Sequence, residues 1–264
     1  MIYAVLSPAK SLHDLPEPVH SRFSEPALLG HAEHLMDRSV RKLSSKQLQK
    51  LMGISAKLGE LNHERNQAFG GRLDLDNARQ AADLFAGDTY IGFDGHTLDD
   101  AGVAYAQEHV GILSGLYGLL RPFDLIQPYR LEMGTKLKNP RGKDLYAYWR
   151  GAVTGVLSER LGRLSDPLLV NLASNEYFRA VDPKVLGVPV VTPSFLERKD
   201  GKARPVSFFA KRARGRMARW IVDTRAETAR DLLGFDVAGY RLDADRSEPA
   251  APVFVRDQPA PGQG

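Results

Sequence analysis

Residues 111–146, GILSGLYGLLRPFDLIQPYRLEMGTKLKNPRGKDLY, decide how the rest of the chain is read. Short apolar runs alternate here with Gly and Pro, a pattern of strand ends and turns rather than long regular elements. Between them stand Arg121, Asp124, Gln127, Tyr129, Arg130, Glu132, Lys143 and Asp144. Polar groups on turns of a rigid scaffold converge readily on a cleft. Taken singly, Arg121–Asp124 and Arg130–Glu132 equally suit ordinary structural ion pairs. Together with the interleaved tyrosines they point to a polar cleft, without naming a reaction.

Working outward, residues 2–6 (IYAVL) read as a short buried strand with Ser7-Pro8-Ala9-Lys10 at its C-terminal end. Ligands of α/β sheets gather at strand C-termini, which makes Ser7 and Lys10 site candidates, although SPxK also forms plain turns. Leu168–Ala173 repeats the arrangement: a continuous apolar strand carrying Asn171 and followed by Ser174, Glu176 and Tyr177. Ser174 suits a helix cap as well as a ligand contact. A third strand is predicted at 110–113 and a brief one at 88–93. Strands at 188–196 and 203–211 form a hairpin around 199–202, and short edge strands fall at 240–243 and 253–255.

Helical periodicity predicts helices over 26–43, 45–52, 55–65, 77–85, 99–109 and 142–161. Residues 11–25, with His13, Pro16, Pro18 and His20 but no periodicity, read as an exposed connection whose histidines lack metal-ligand spacing. The fold class is mixed α/β (α+β). We expect a single globular domain over 1–256, with a mixed sheet and flanking helices. A helix-hairpin-helix-like subregion is placed at about 44–66, and residues 257–264 are too poor in apolar groups to fold.

The chain has 264 residues, 43% hydrophobic and 26% charged, the balance of an ordinary globular protein. No apolar run approaches the ~18 residues of a membrane helix, and the N-terminus lacks the basic lead of a signal peptide. A cytoplasmic location is expected. The absence of cysteine excludes disulfides, thiolate metal sites and thiol peroxidase chemistry. The net charge of +4 argues little by itself, but the basic residues are unevenly placed.

Two stretches bear on nucleic acid. LQKLMGISAKLGELNHER (48–65) fits the helix-hairpin-helix pattern, in which a tight turn at Gly53-Ile54-Ser55 exposes N–H groups at the start of a second helix. Such amides hold a DNA phosphate without reading a base, with Lys50 and Lys57 adding charge. Ser55 departs from the pattern, which usually carries a second glycine there, and a common αα-hairpin has the same outline. The second stretch, 198–219, holds Arg198, Lys199, Lys202, Arg204, Lys211, Arg212, Arg214, Arg216 and Arg219 against one acid, Asp200. A helix starting near Arg212 would put Arg212, Arg216 and Arg219 on one open face. Lys136, Lys138, Arg141 and Lys143 supply a basic loop between them.

Four motifs occur in order: SPAK at 7–10, LSGLYGLLRPFDLIQPYRLEMG at 113–134, NLASNEYF at 171–178 and FFAKRARG at 208–215. Across roughly residues 1–245 the chain resembles the YaaA family of peroxide-stress proteins. The resemblance implies a cytosolic bacterial protein that protects against hydrogen peroxide, binds DNA and limits damage from free iron. It supplies no defined reaction.

Two functions therefore compete. One is a DNA-binding stress protein, expected to be a monomer, holding duplex or structured DNA by phosphate and shape rather than sequence, with no cofactor or metal. The other is an enzyme acting on a nucleotide or nucleic acid. There Lys10 or Lys211 would be base or nucleophile, Asp124, Glu132 or Glu176 acid/base, and Arg121 or Arg130 anion clamps. No Walker loop or HExxH motif supports the enzyme. Paired Glu-x-x-His ligands for iron are also missing, so any effect on iron would be indirect.

Overall fold

A computed structural model describes residues 1–15 and 17–259. Strand β1 (Ile2–Leu6) is apolar on both faces and wholly buried, as an interior strand must be when layers cover both sides of the sheet. The short β2 (Ser11–Leu12) follows, and α1 (Leu29–Leu35) runs into a π-helical turn at Met36–Val40. Helix α2 (Ser45–Met52) opens with a capping box, in which Ser44 accepts the Gln47 N–H and the Gln47 side chain accepts the Ser44 N–H. Gly53 ends it in the left-handed region, and Ser55 caps α3 (Ala56–Ala68).

Next come β3 (Arg79–Gln80), α4 (Ala81–Leu84), β4 (Phe85–Ala86), α5 (Asp88–Phe93) and α6 (Asp100–His109). The central stretch contributes β5 (Val110–Ser114), β6 (Gly118–Leu120) and β7 (Leu125–Ile126), then α7 (Leu145–Leu161), capped by Asp144. Beyond it lie β8 (Leu168–Asn171), α8 (Asn175–Phe178), α9 (Pro183–Leu186), β9 (Val190–Val191), β10 (Ser194–Lys199) and β11 (Lys202–Arg204). Helix α10 (Ser207–Thr224), α11 (Ala229–Leu232), β12 (Arg241–Leu242) and β13 (Val253–Asp257) complete the order.

The main sheet has the order β6-β5-β1-β8-β9. β1 pairs in parallel with β5 and β8, and β8 with β9, while β6 folds back antiparallel on β5. A second sheet, β11-β10-β13-β12, is also mixed, because β10 runs parallel to β13 and antiparallel to β11. The fold is thus mixed α/β. One continuous core joins β1 and Trp149 to the aromatic cluster of Phe195, Phe235, Tyr240 and Phe254 under the second sheet.

Several local expectations are corrected. Residues 88–93 form a helix despite their strand-forming Thr, Tyr, Ile and Phe, because Gly92 lets α5 lie directly on α10. The helix expected at 77–85 is interrupted where Arg79–Gln80 pairs with Leu125–Ile126 of β7. The strand expected through 211 stops at Arg204, since Pro205 has no N–H for a ladder, and α10 begins at Ser207 rather than near Arg212. The 199–202 hairpin joins the second sheet instead of the main one. β13 is an inner strand rather than an edge, flanked by β10 and β12. It extends to Asp257, and the Gln258 N–H still bonds the Arg198 carbonyl, so the chain is paired beyond the expected boundary at 256. Of the expected disordered tail, residues 260–264 lie outside the described residues.

Candidate functional site

The order in which the chain builds the main sheet reverses at the parallel pair β1 and β8. From β1 the chain moves to β5 and β6 on one side, and from β8 to β9 on the other. Loops leaving the C-terminal ends of two such strands diverge and open a crevice, the usual ligand position in α/β sheets. Ser7 follows β1 here, and Ser174 follows β8. The Ser7 hydroxyl oxygen accepts the Ser174 N–H at 2.9 Å, and the two hydroxyls lie 3.4 Å apart. Ser174 stands at the N-cap position of α8, but its side chain makes no cap hydrogen bond there.

Residues 129–134 cross this edge of the sheet. Gly115 makes the crossing possible, because a methyl group there would overlap the Leu131 carbonyl oxygen. The crossing segment sets Glu132 between two cations, with Lys10 Nζ at 2.6 Å and an Arg130 terminal nitrogen at 3.4 Å. Arg130 Nε is buried without a hydrogen-bond partner. Glu176 Oε1 accepts the Gly134 N–H at 2.8 Å, and the Tyr146 hydroxyl donates to the Glu176 carbonyl at 3.0 Å.

Three phenols surround the crevice. Tyr129 shares a 2.6 Å hydrogen bond with Ser114 at the end of β5, and Tyr90 of α5 donates to the Ser7 carbonyl at 3.0 Å. Burial pushes the pKa of Tyr129 up, partly offset by its bond to Ser114. Burial also raises Tyr177, reinforced by Tyr129, Glu176 and Glu132, and raises Tyr90, reinforced by Tyr129 and Tyr177. All three therefore stay protonated and can donate hydrogen bonds at neutral pH. Asn171 bonds locally, accepting the Ala173 N–H and donating to Thr192 at 3.4 Å. With Lys10 and Arg130 for an anion and Glu132 for a proton, the crevice has the groups for binding and acid–base chemistry.

Ser7, Lys10, Tyr129, Arg130, Glu132, Ser174, Glu176 and Tyr177 are thus brought to one edge. Arg121 and Asp124 are not part of that network. Asp124 is wholly buried, taking hydrogen bonds from Ser24 at 2.5 Å and from the Arg121 main chain at 2.8 Å, with Arg121 Nε at 3.2 Å. Burial raises its pKa against the pull of those bonds and of Arg121 and Arg160. It fastens the turn to Ser24. Lys211 is exposed on α10, and no hydrogen bond or ion pair joins it to the crevice among the described residues. Sequence reasoning missed Tyr90 because its segment read as a strand, and missed Ser114 because nothing local distinguished it.

The residues expected to meet DNA fall into two groups. Lys50, Gly53, Ser55 and Lys57 are exposed around the α2–α3 hairpin, and Lys136, Lys138, Arg141 and Lys143 are exposed on the loop before α7. Arg141 stacks over Tyr148 at 4.7 Å. The α10 cations are not an open face. Arg212 reaches Asp88 at 3.3 Å, and Arg219 holds Asp223, the Asp94 carbonyl and Thr97 at 2.6–2.8 Å. Arg214 and Arg216 are half-buried, and burial depresses both pKa values. The helix starts earlier than expected, and Arg212 and Arg219 are engaged by Asp88, Asp94, Thr97 and Asp223 of the same chain.

Comparison with known proteins adds the family. The family model described as "Peroxide stress protein YaaA" matches residues 2–246. The chain belongs to this family. A curated relative, a UPF0246 protein of Alteromonas mediterranea, is 50% identical over 254 residues, covering 96% of this chain and 98% of its own. Membership connects the protein with peroxide stress. Of the four motifs that carry the resemblance, SPAK, the 113–134 run and NLASNEYF meet at the β1–β8 crevice. FFAKRARG opens α10, whose Gly215 packs on α5. Among the described residues no helix is long and apolar enough to cross a membrane.

Proposed function

We propose that this protein binds DNA in the cytoplasm during peroxide stress, as a monomer, protecting the DNA and limiting damage from free iron. The observation that carries the reading is the α2–α3 hairpin. Gly53 turns the chain at φ 62°, ψ 40°, Ser55 caps α3, and the first amides of α3 start at an exposed corner between Lys50 and Lys57. The helix dipole, and the N-terminal amides that the Ser55 cap does not take up, favour a phosphate there. The exposed cations at 136–143 extend the same preference. Among the described residues no element offers a pattern for base edges, so duplex or structured DNA would be held without sequence preference.

Fluorescence anisotropy over a salt series tests this. Affinity should fall steeply with salt, and Lys57→Ala should reduce the log–log slope by about 1. A flat salt response would remove the phosphate reading. A second reading, an enzyme acting on a nucleotide or nucleic acid, is favoured by the Lys10–Glu132–Arg130 cluster at the sheet's switch point. A binding surface for phosphate gains nothing from Glu132 or Glu176, which repel it.

A further inference from the structure

A cavity of about 500 Å³ lies beside the turn that follows β6, lined by Arg22, Phe23, Val103, Gln107, Glu108 and Arg121. β6 starts opposite Ser114 and ends opposite Ile112, so the chain reaches Arg121 at the end of the sheet away from the β1–β8 crevice. The volume falls within the ~300–1,000 Å³ typical of small-molecule sites.

The residues around this cavity are tied together. Ser24 donates to the wholly buried Asp124 at 2.5 Å, and Gln107 donates to the Ser24 hydroxyl at 2.8 Å while accepting the Phe123 N–H at 2.8 Å. Main-chain bonds from Ser24 to Phe123 and from Leu125 to Ser24 fasten the segment of Arg22 and Phe23 against the turn. Asp124 takes Arg121 through Nε at 3.2 Å, and the Arg121 side chain remains 29% exposed. A planar guanidinium held by Nε keeps free the edge formed by its two terminal nitrogens, and no hydrogen bond or ion pair engages that edge among the described residues.

Such an edge matches the paired oxygens of a carboxylate or phosphate. Because Asp124 already orients it, little freedom is lost when an anion binds. Arg22 is exposed beside it and adds a second cation. Phe23, 49% exposed, offers a flat apolar face to a ring. Glu108 is an exposed acid in the same lining, which counts against a polyanion and for a compact ligand of small charge.

We propose that this cavity binds a small molecule carrying an oxyanion on a planar ring, the oxyanion on Arg121 and Arg22 and the ring on Phe23. The inference is independent of DNA binding, and its test contains no DNA. Isothermal titration of the full chain with phenyl phosphate and with benzoate should give saturable one-to-one binding of at least one. Neutral benzamide should be weaker by about tenfold or more. The tighter of the two anions tells a phosphate ligand from a carboxylate. Arg121→Lys keeps a cation beside Asp124 but loses the fork, and should weaken the anion by about tenfold. Arg22→Glu should weaken it as much, and Phe23→Ala by about threefold, with circular dichroism unchanged in both. Absence of saturable binding at millimolar anion, equal binding of benzamide, or full affinity in Arg22→Glu would overturn the assignment. So would loss of binding in Lys10→Ala, which would place the anion in the crevice.

Discussion

The Lys10 ammonium lies 2.6 Å from Glu132, although 122 residues separate them in the chain. Lys10 is largely exposed and Glu132 mostly covered, so the pair sits at the mouth of the crevice between β1 and β8. An ion pair this open contributes little stability, at most about 1 kcal/mol. Glu132→Gln should therefore fold normally and leave DNA affinity unchanged or slightly higher, since one negative charge is gone. Peroxide protection in a deletion strain should be lost. Full protection at equal expression would show the crevice to be structural.

Gly53 has open space around its Cα, so its constraint is backbone conformation alone. A β-branched residue at φ 62° is strained by about 1–2 kcal/mol, whereas Asn tolerates the left-handed region. Gly53→Val should lower Tm by roughly 2–4 °C per kcal/mol and weaken DNA binding. Gly53→Asn should do far less of both. Equal melting and binding for the two variants would show that the hairpin does not depend on this conformation.

Gly215 tells the opposite story. A methyl group there would overlap the Thr89 carbonyl oxygen and lie 2.7 Å from the Phe93 nitrogen. Those are backbone atoms, which cannot swing aside. Gly215→Ala should destabilise the protein by about 1–3 kcal/mol, the usual cost of overpacking, even though alanine favours helices. Urea unfolding checks this, and an unchanged midpoint would show that α5 and α10 are less tightly apposed.

Asp83 should make stability depend on pH. Burial raises its pKa above the ordinary 3.8, with the positive charges of His20, His96 and His13 pulling it back. A raised carboxyl pKa means that folding favours the protonated form. Its stabilising contribution is full below the unfolded value and is lost as pH rises through the folded value. Asp83→Asn should thus be more stable than the parent at neutral pH, by about 1–3 kcal/mol, with the gap closing in acid. Thermal melts at several pH values read this directly, and a parent more stable at pH 7 would contradict it.

Much of the frame was legible in the chain itself. The continuous apolar runs at 2–6 and 168–170 suited interior strands, because both faces had to be buried. Ser44, Gly53 and Ser55 marked helix ends through local hydrogen bonding and backbone freedom. Residues 88–93 were illegible because a two-glycine approach to α10 outweighed their strand propensity.

Charge was the harder matter. Arg212 and Arg219 read as an open basic face, yet their partners Asp88, Asp94 and Thr97 come from more than a hundred residues upstream. Asp124 read either as a structural partner of Arg121 or as an acid of the cleft, and is a buried fastening for Arg121 and Ser24. The sequence alone determined the interior strands at 2–6, 110–113 and 168–171, the α2–α3 hairpin, and which motifs mark the family, because those signals are short-range. Only the tertiary structure decided that Lys10, Arg130 and Glu132 meet, and which cations remain free. Strand order sets those distances, and no local pattern encodes it.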